Sequence, residues 1–486
     1  MIKKTLPAAI ALAGSLGLAG AANAVNVNHD GLGEVLLYSL YTTEGGNDSL
    51  INITNTSSVV TAVKVRFLEG MNSQEVLDFN LYLSPYDVWT ASVSRSAAGA
   101  IIKTADTSCT VPTIPAAGVE FRNTQYQGTS YAAGKGGPQG TDRTRVGYVE
   151  VIQMGTVQNE ADPSTFKPAL WATHQAGVPT DCAALNAAWT PPGGAWVASP
   201  SRAITNQAGG LYGSMVLVDV NGGTDVAYDA VAIDNWAVTT NHTAPGSLLP
   251  TLNNGDIDFS LPDGSTGSAA SGADALSAVL QVTNQMNDYL TVASLSAGTD
   301  WNVTFPTKKF YSAVWPDVNN DSVPDLPAFT PEPFTSFWNP ELGGSACEPI
   351  SISFWDQEEG EPAGGIDFSP TTTAAPQSLC WEANVISING SNVLGGGYTL
   401  NTINLPDNFD AGWMQFGYTG SVTNGKFPAP APTFTRRVQT SLGDVLGLPA
   451  IGFAVIEFTN GDVGGLLSNY AGLTNHKSDT SVVSSL

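Results

Sequence analysis

Val63-Lys64-Val65-Arg66-Phe67, followed by Leu77-Asp78-Phe79-Asn80-Leu81-Tyr82-Leu83, alternates apolar with charged or polar side chains. A period of two sends successive residues to opposite faces of an extended chain, so each run reads as a strand with one packed and one wet face. Leu50-Ile51-Asn52-Ile53-Thr54-Asn55 precedes the pair, and Val88-Trp89-Thr90-Ala91-Ser92-Val93 follows Ser84-Pro85. Four strands at this turn spacing predict an antiparallel, immunoglobulin-like sandwich.

The same reading extends along the chain. Residues 147–152, 214–220, 226–233, 301–305, 351–355, 385–388 and 451–458 are further strands, and Asn221-Gly222-Gly223 has the chemistry of a hairpin turn. One short helix is expected over 272–290. Ser271 caps it, Asp274 sits in its first turn, and Leu276, Val279, Leu280, Thr283, Met286 and Leu290 fall at helical spacing. Gly 51 and Pro 30 favour many turns over long helices. The expected class is mainly all-β, with two or more antiparallel β-sandwich domains of the immunoglobulin-like kind.

The 486 residues, 42% hydrophobic, are enough for more than one core. Residues 1–24 read as a secretory signal: Lys3 and Lys4 lead an apolar stretch that ends at the small-x-small site Ala22-Asn23-Ala24. We place an N-terminal β-sandwich region at 25–250 and a C-terminal one at 251–486, the latter carrying the helix and an acidic loop. The 445–458 stretch is broken by Pro449, so no transmembrane segment is expected after the signal is removed. Export makes disulfides the natural use of four cysteines, which allow three connectivities. Pairing neighbours, Cys109 with Cys182 and Cys347 with Cys380, closes each loop within one half of the chain.

Lys and Arg number 18 against 43 Asp and Glu, and loss of the signal's two lysines takes the formal charge from −25 to −27. Such a surface repels nucleic acid and attracts divalent cations. The sharpest cation motif is Asp317-Val318-Asn319-Asn320-Asp321-Ser322-Val323-Pro324-Asp325. Asp317, Asn319, Asp321 and Asp325 place oxygens at positions 1, 3, 5 and 9 of one loop, where they can converge on a point as calcium requires. It departs from the usual calcium loop in having Ser322 for glycine and Ala328 where a bidentate Glu would stand. Asp356, Glu358, Glu359, Glu361 and Asp367 form a second acidic group, read as a solvated face, as another cation site or as a cation-bridged contact between subunits.

Nothing here points to catalysis. His29, His174, His242 and His476 are scattered, and no metalloprotease motif, nucleophile elbow or phosphate-binding loop occurs. Tryptophans such as Trp89, Trp301, Trp355, Trp381 and Trp413 lie in or beside strand-like runs, where core packing is the commoner use and glycan stacking the alternative.

Several stretches add a resemblance. Glu34-Val35-Leu36-Leu37-Tyr38, the run from Val63 to Pro85, Gly298-Thr299-Asp300-Trp301, Thr304-Phe305-Pro306-Thr307-Lys308, Gly452-Phe453-Ala454 and Phe458-Thr459-Asn460-Gly461 resemble surface-layer (S-layer) proteins of marine gammaproteobacteria and related exported proteobacterial proteins. The resemblance implies a non-enzymatic protein that assembles with itself into a lattice on the outer cell surface, and that also enters biofilm matrix. An outer-membrane component such as lipopolysaccharide is a further expected partner. The competing expectations are a secreted monomeric adhesin or glycan-binding protein and, behind it, an extracellular hydrolase using a carboxylate pair.

Overall fold

The computed structural model describes residues 24–128, 136–162, 166–207, 209–237, 239–312, 331–339, 343–360, 377–423 and 433–484. The chain is mainly β and its sheets are antiparallel apart from one pair of strands. Among the described residues, no sheet mixes strands from before and after residue 250.

The first half forms a sandwich of an eight-stranded and a seven-stranded sheet, larger than an immunoglobulin domain. The four strands read from the alternation are Asn47–Asn55, Val60–Glu69, Glu75–Leu83 and Val88–Arg95. Val60–Glu69 lies at the middle of the larger sheet, between Glu75–Leu83 and Val146–Val157. Its inward residues Val63, Val65 and Phe67 meet Trp89, Ile53 and Leu217 of the opposite sheet in one buried cluster. Gly213 sits where backbones crowd: a Cβ there would lie 1.9 Å from the Tyr38 hydroxyl, which donates to the Asn52 carbonyl at 2.6 Å.

The expected strand 226–233 is two strands. Thr224–Asp229 completes the seven-stranded sheet and Val231–Asp234 enters the eight-stranded one, so the chain crosses between layers at Ala230.

The second half packs a five-stranded sheet, centred on Ala297–Thr304, against a three-stranded sheet of Asn284–Leu290, Ala411–Gly417 and Ser351–Asp356. Trp301, Ile386, Met414 and Phe416 fill the space between them. The other face of the five-stranded sheet meets the first half. Phe453 and Val455 join the first sandwich's core, and the Phe453 ring lies 4.7 Å from that of Tyr228.

The larger sheet of the first half is thus covered on both faces. Part of its outer face lies under three short helices, Pro168–Ala172, Cys182–Ala188 and Ala195–Ala198, where Trp189 and Trp196 pack on Tyr82 and Met154. Another part lies under the helix Gly272–Leu280, whose Leu276 and Val279 meet Leu37, Ile152 and Trp236. Neither Val60–Glu69 nor Glu75–Leu83 therefore keeps the wet face that its alternation implied: every residue of Val60–Glu69 is buried, Lys64 and Arg66 included.

The helix starts as expected, with Ser271 Oγ accepting from the Asp274 N–H at 3.1 Å, but it stops at Leu280. The β-branched Val282 and Thr283 favour extended backbone, and Asn284–Leu290 pairs along its length with Ala411–Gly417. Gln285, Asn287 and Tyr289 are its inward side chains, so Met286 and Leu290 match helical spacing by coincidence.

Both neighbour disulfides are formed, Cys109–Cys182 and Cys347–Cys380, with sequence separations of 73 and 33. The first ties Cys109–Val111, the last strand of the larger sheet, to the helix Cys182–Ala188. Closing so long a loop restricts the unfolded chain, so the double substitution Cys109→Ser, Cys182→Ser should cost about 2–5 kcal/mol in urea unfolding while leaving the far-ultraviolet spectrum β-like.

Candidate functional site

The site grows out of the sheet register. Glu150 on Val146–Val157 stands opposite Arg66 on Val60–Glu69, which stands opposite Asp78 on Glu75–Leu83. Alternation puts Lys64 on the same outward face, and the 244–250 segment together with Lys309 from the second half closes over that row instead of water.

A buried charge has to be matched where it lies. Arg66 Nε donates to Glu75 at 2.6 Å and Nη1 to Glu150 at 3.0 Å. Glu150 also accepts from Lys309 Nζ at 2.5 Å, a contact between the two halves. Lys64 donates to Asp78 at 3.1 Å and to the Ala244 carbonyl at 2.9 Å. Glu69 takes the fork of Arg143 at 2.7 and 2.9 Å and the backbone N–H groups of Met71, Asn72 and Gln74. Burial alone would raise the Glu69 carboxyl, but Arg143 and these donors hold it below the usual range.

From the second half, Glu382 accepts from Ser73 Oγ at 2.5 Å, and that oxygen shares a 2.8 Å hydrogen bond with the Tyr148 hydroxyl. Ser73 adopts φ 58, in a turn that aims its side chain at Glu382. Burial pushes the Glu382 carboxyl up to about 7, against the pull of Ser73, Lys308 and Lys309 and with a push from Glu69. Burial likewise lowers Lys308 and Lys309, opposed by Glu348 and Glu382 for the first and chiefly by Glu150 for the second. Lys308 donates to the Ala346 carbonyl at 2.6 Å.

Against this cluster lies a cavity of about 440 Å³ with Arg66, Lys309, Ser73 and Glu382 in its wall. A second cavity, of about 420 Å³, adjoins it at Gln125 and Leu248 and is walled largely by Val76, Phe79, Ile114 and Val119. The acids of the first cavity are engaged by cations or hydroxyls, so what its wall offers a visitor is hydrogen-bond donors rather than a nucleophile aligned with a base.

The calcium candidates Asp317, Asn319, Asp321 and Asp325 lie outside the described residues, as do Glu361 and Asp367. Asp356 closes a turn, accepting from the N–H groups of Glu358 at 2.9 Å and Gly360 at 2.6 Å. Among the described residues, no three His, Cys, Asp or Glu side chains converge as a metal site, and no helix is long and apolar enough to cross a membrane. Trp89 and Trp301 are core residues. Trp355 and Trp413 instead stack at 4.1 Å on the outer face of the three-stranded sheet, with Trp413 exposed.

Two histidines are structural. His242 donates from Nδ1 to the Pro200 carbonyl at 2.6 Å and meets the Tyr82 hydroxyl at 2.9 Å. His476 is held between the Asn302 carbonyl and Asn287. Each uses both ring nitrogens in its neutral form, and burial pushes both down to about 4. Sequence reading missed Ser73, Lys309 and Glu382, which share the cavity wall with Arg66; the one signal available was the placing of Lys64 and Arg66 inside an apolar strand. Comparisons with protein-family models, curated proteins and solved structures found no match to this chain.

The shifts set opposite pH dependences. Glu382 holds a proton in the folded state up to about 7, which the unfolded chain releases near 4.5. Its stabilisation is complete at low pH and is lost as pH rises through 7. His242 and His476 stay neutral when folded but protonate below 6.5 when unfolded, so their contribution is lost as pH falls from 6.5 towards 4. Glu382→Gln should flatten the fall in stability between pH 5 and 8, by up to about 3 kcal/mol. His242→Gln should flatten the acid limb, with Tm against pH as the readout for both.

Proposed function

We propose that the chain is an exported structural protein that associates with copies of itself into a lattice on the cell surface, with calcium bridging its surplus carboxylates, and that it performs no catalysis. One observation carries the self-association. Val463, Leu466, Leu467 and Tyr470 are exposed on and beside a hairpin whose turn is Gly464-Gly465. Exposed Val220 adjoins them, because a Cβ on Gly223 would meet Leu467 at 2.2 Å and Asn469 donates to the Gly222 carbonyl at 2.7 Å.

A contiguous apolar patch on so acidic a chain marks a surface that is covered in use. Away from this patch, the strand Ser481–Val483 lies at the end of its sheet with Val482 and Val483 exposed, an unprotected edge of the kind that pairs with another chain. The two disulfides support export to an oxidising compartment. The resemblance to S-layer proteins supports the surface lattice, and the carboxylate excess supports a role for calcium, with loop 317–325 as the first place to look.

The second reading, a glycan-binding adhesin, has the Trp355–Trp413 stack in its favour, flanked on the same face by Ser353 and Gln415.

Leu466→Asp with Leu467→Asp should leave the monomer folded and lower self-association at least about tenfold, since each leucine's burial is worth about 1.5–3 kcal/mol. Electron microscopy and sedimentation read the result, and unchanged arrays would overturn the assignment of this patch. Chelation with EGTA should release the protein from intact cells and dissolve arrays. Arrays and attachment that survive chelation would remove calcium from the proposal while leaving the patch intact.

A further inference from the structure

The cavity beside Arg66 has a definite chemical bias. Arg66 spends Nε and Nη1 on Glu75 and Glu150, and its Nη2 makes no hydrogen bond among the described residues. Lys309 uses one proton, on Glu150. Asn72 and Gln125 are held through their carbonyl oxygens by Arg143 and the Glu75 N–H, which leaves their amide N–H groups free. Ser312 Oγ is buried at the cavity wall with no partner. A buried hydroxyl without a partner costs stability unless a ligand or water meets it.

The free groups are thus mostly donors, and two are cationic, in a chain with only 18 lysines and arginines. A cation is disfavoured there, because Glu75 and Glu150 are already neutralised by Arg66 and Lys309. Glu382, tied to Ser73 and holding a proton up to near neutrality, does little to oppose an anion. Phe310 and Trp338 supply ring faces, and exposed Leu248 stands at the rim.

We propose that this cavity binds a hydroxylated carboxylic acid of sugar size, a hexuronic acid by chemical class, with its carboxylate on Arg66 and Lys309. Arg66 Nη2 and Lys309 Nζ give charge-assisted hydrogen bonds to the carboxylate. Asn72, Gln125 and Ser312 meet ring hydroxyls, and the apolar C–H face of the ring lies against the aromatic walls. The site is independent of the exposed apolar patch and of any lattice.

The test uses the oxidised mature chain and isothermal titration with D-glucuronate, D-glucose, hexanoate and inorganic phosphate. Glucuronate should bind at least about tenfold more tightly than each of the others, a difference of about 1.4 kcal/mol. Arg66→Lys keeps the charge but removes the free Nη2, and Leu248→Trp narrows the rim without touching the ion pairs. Each should weaken glucuronate about tenfold or more in protein whose melting remains cooperative. If Arg66→Lys fails to fold, Leu248→Trp and Gln125→Ala carry the test. Equal binding of glucose would overturn the carboxylate assignment. Equal binding of hexanoate would overturn the hydroxylated body, and of phosphate the choice of acid. Affinity unchanged in every folded variant would remove the ligand from this cavity.

Discussion

A strand that carries lysine and arginine into the dark interior of the molecule governs the architecture. Lys64 and Arg66 are excluded from solvent on Val60–Glu69, and leaving either unpaired there would be costly: truncating one partner of a buried ion pair typically costs about 3–5 kcal/mol. The first half supplies Asp78, Glu75 and Glu150 from neighbouring strands. Lys309 then adds a second cation against Glu150, and it comes from the far half of the sequence. The two halves therefore share an electrostatic centre as well as an apolar core, and each is incomplete without the other. Neat replacement of such a cluster by apolar residues is often neutral in stability, so its retention here fits a role in fixing how the halves register, and in forming the wall of a cavity.

Much of the fold was legible because alternation is a local property. The four strands of the opening stretch, the hairpin at Asn221-Gly222-Gly223 and the Ser271 cap all follow from short-range chemistry. The neighbour disulfides follow from loop closure. Alternation does not say what covers the second face, however, so Lys64 and Arg66 read as solvent-facing when a second layer lies over them. The overlong helix has a related cause: Leu276 to Leu290 satisfies helical spacing, while polar Gln285 and Asn287 point inward in a strand where no apolar alternation advertises the pattern.

The candidate cavity was less legible still. Its wall joins Arg66 and Ser73 to Lys309 and Glu382, and residues more than two hundred positions apart carry no spacing signal in a single sequence. Ser73 and Glu382 are unremarkable in isolation; their significance comes from a 2.5 Å approach across the junction. By contrast, the apolar hairpin around Leu466 and Leu467 stands in the sequence as a short Gly-Gly turn with leucines beside it, but only the fold shows those leucines to be uncovered.

The burial of the central ion pairs also decides how the molecule responds to the salt around it. Mobile ions screen charges over about 8 Å at physiological ionic strength, and they do so where water reaches. Glu150 and Glu69 lie beyond that reach, whereas most of the carboxylate excess does not. Dilution or concentration of the surrounding electrolyte therefore retunes how molecules repel one another and leaves the joint inside each molecule as it was.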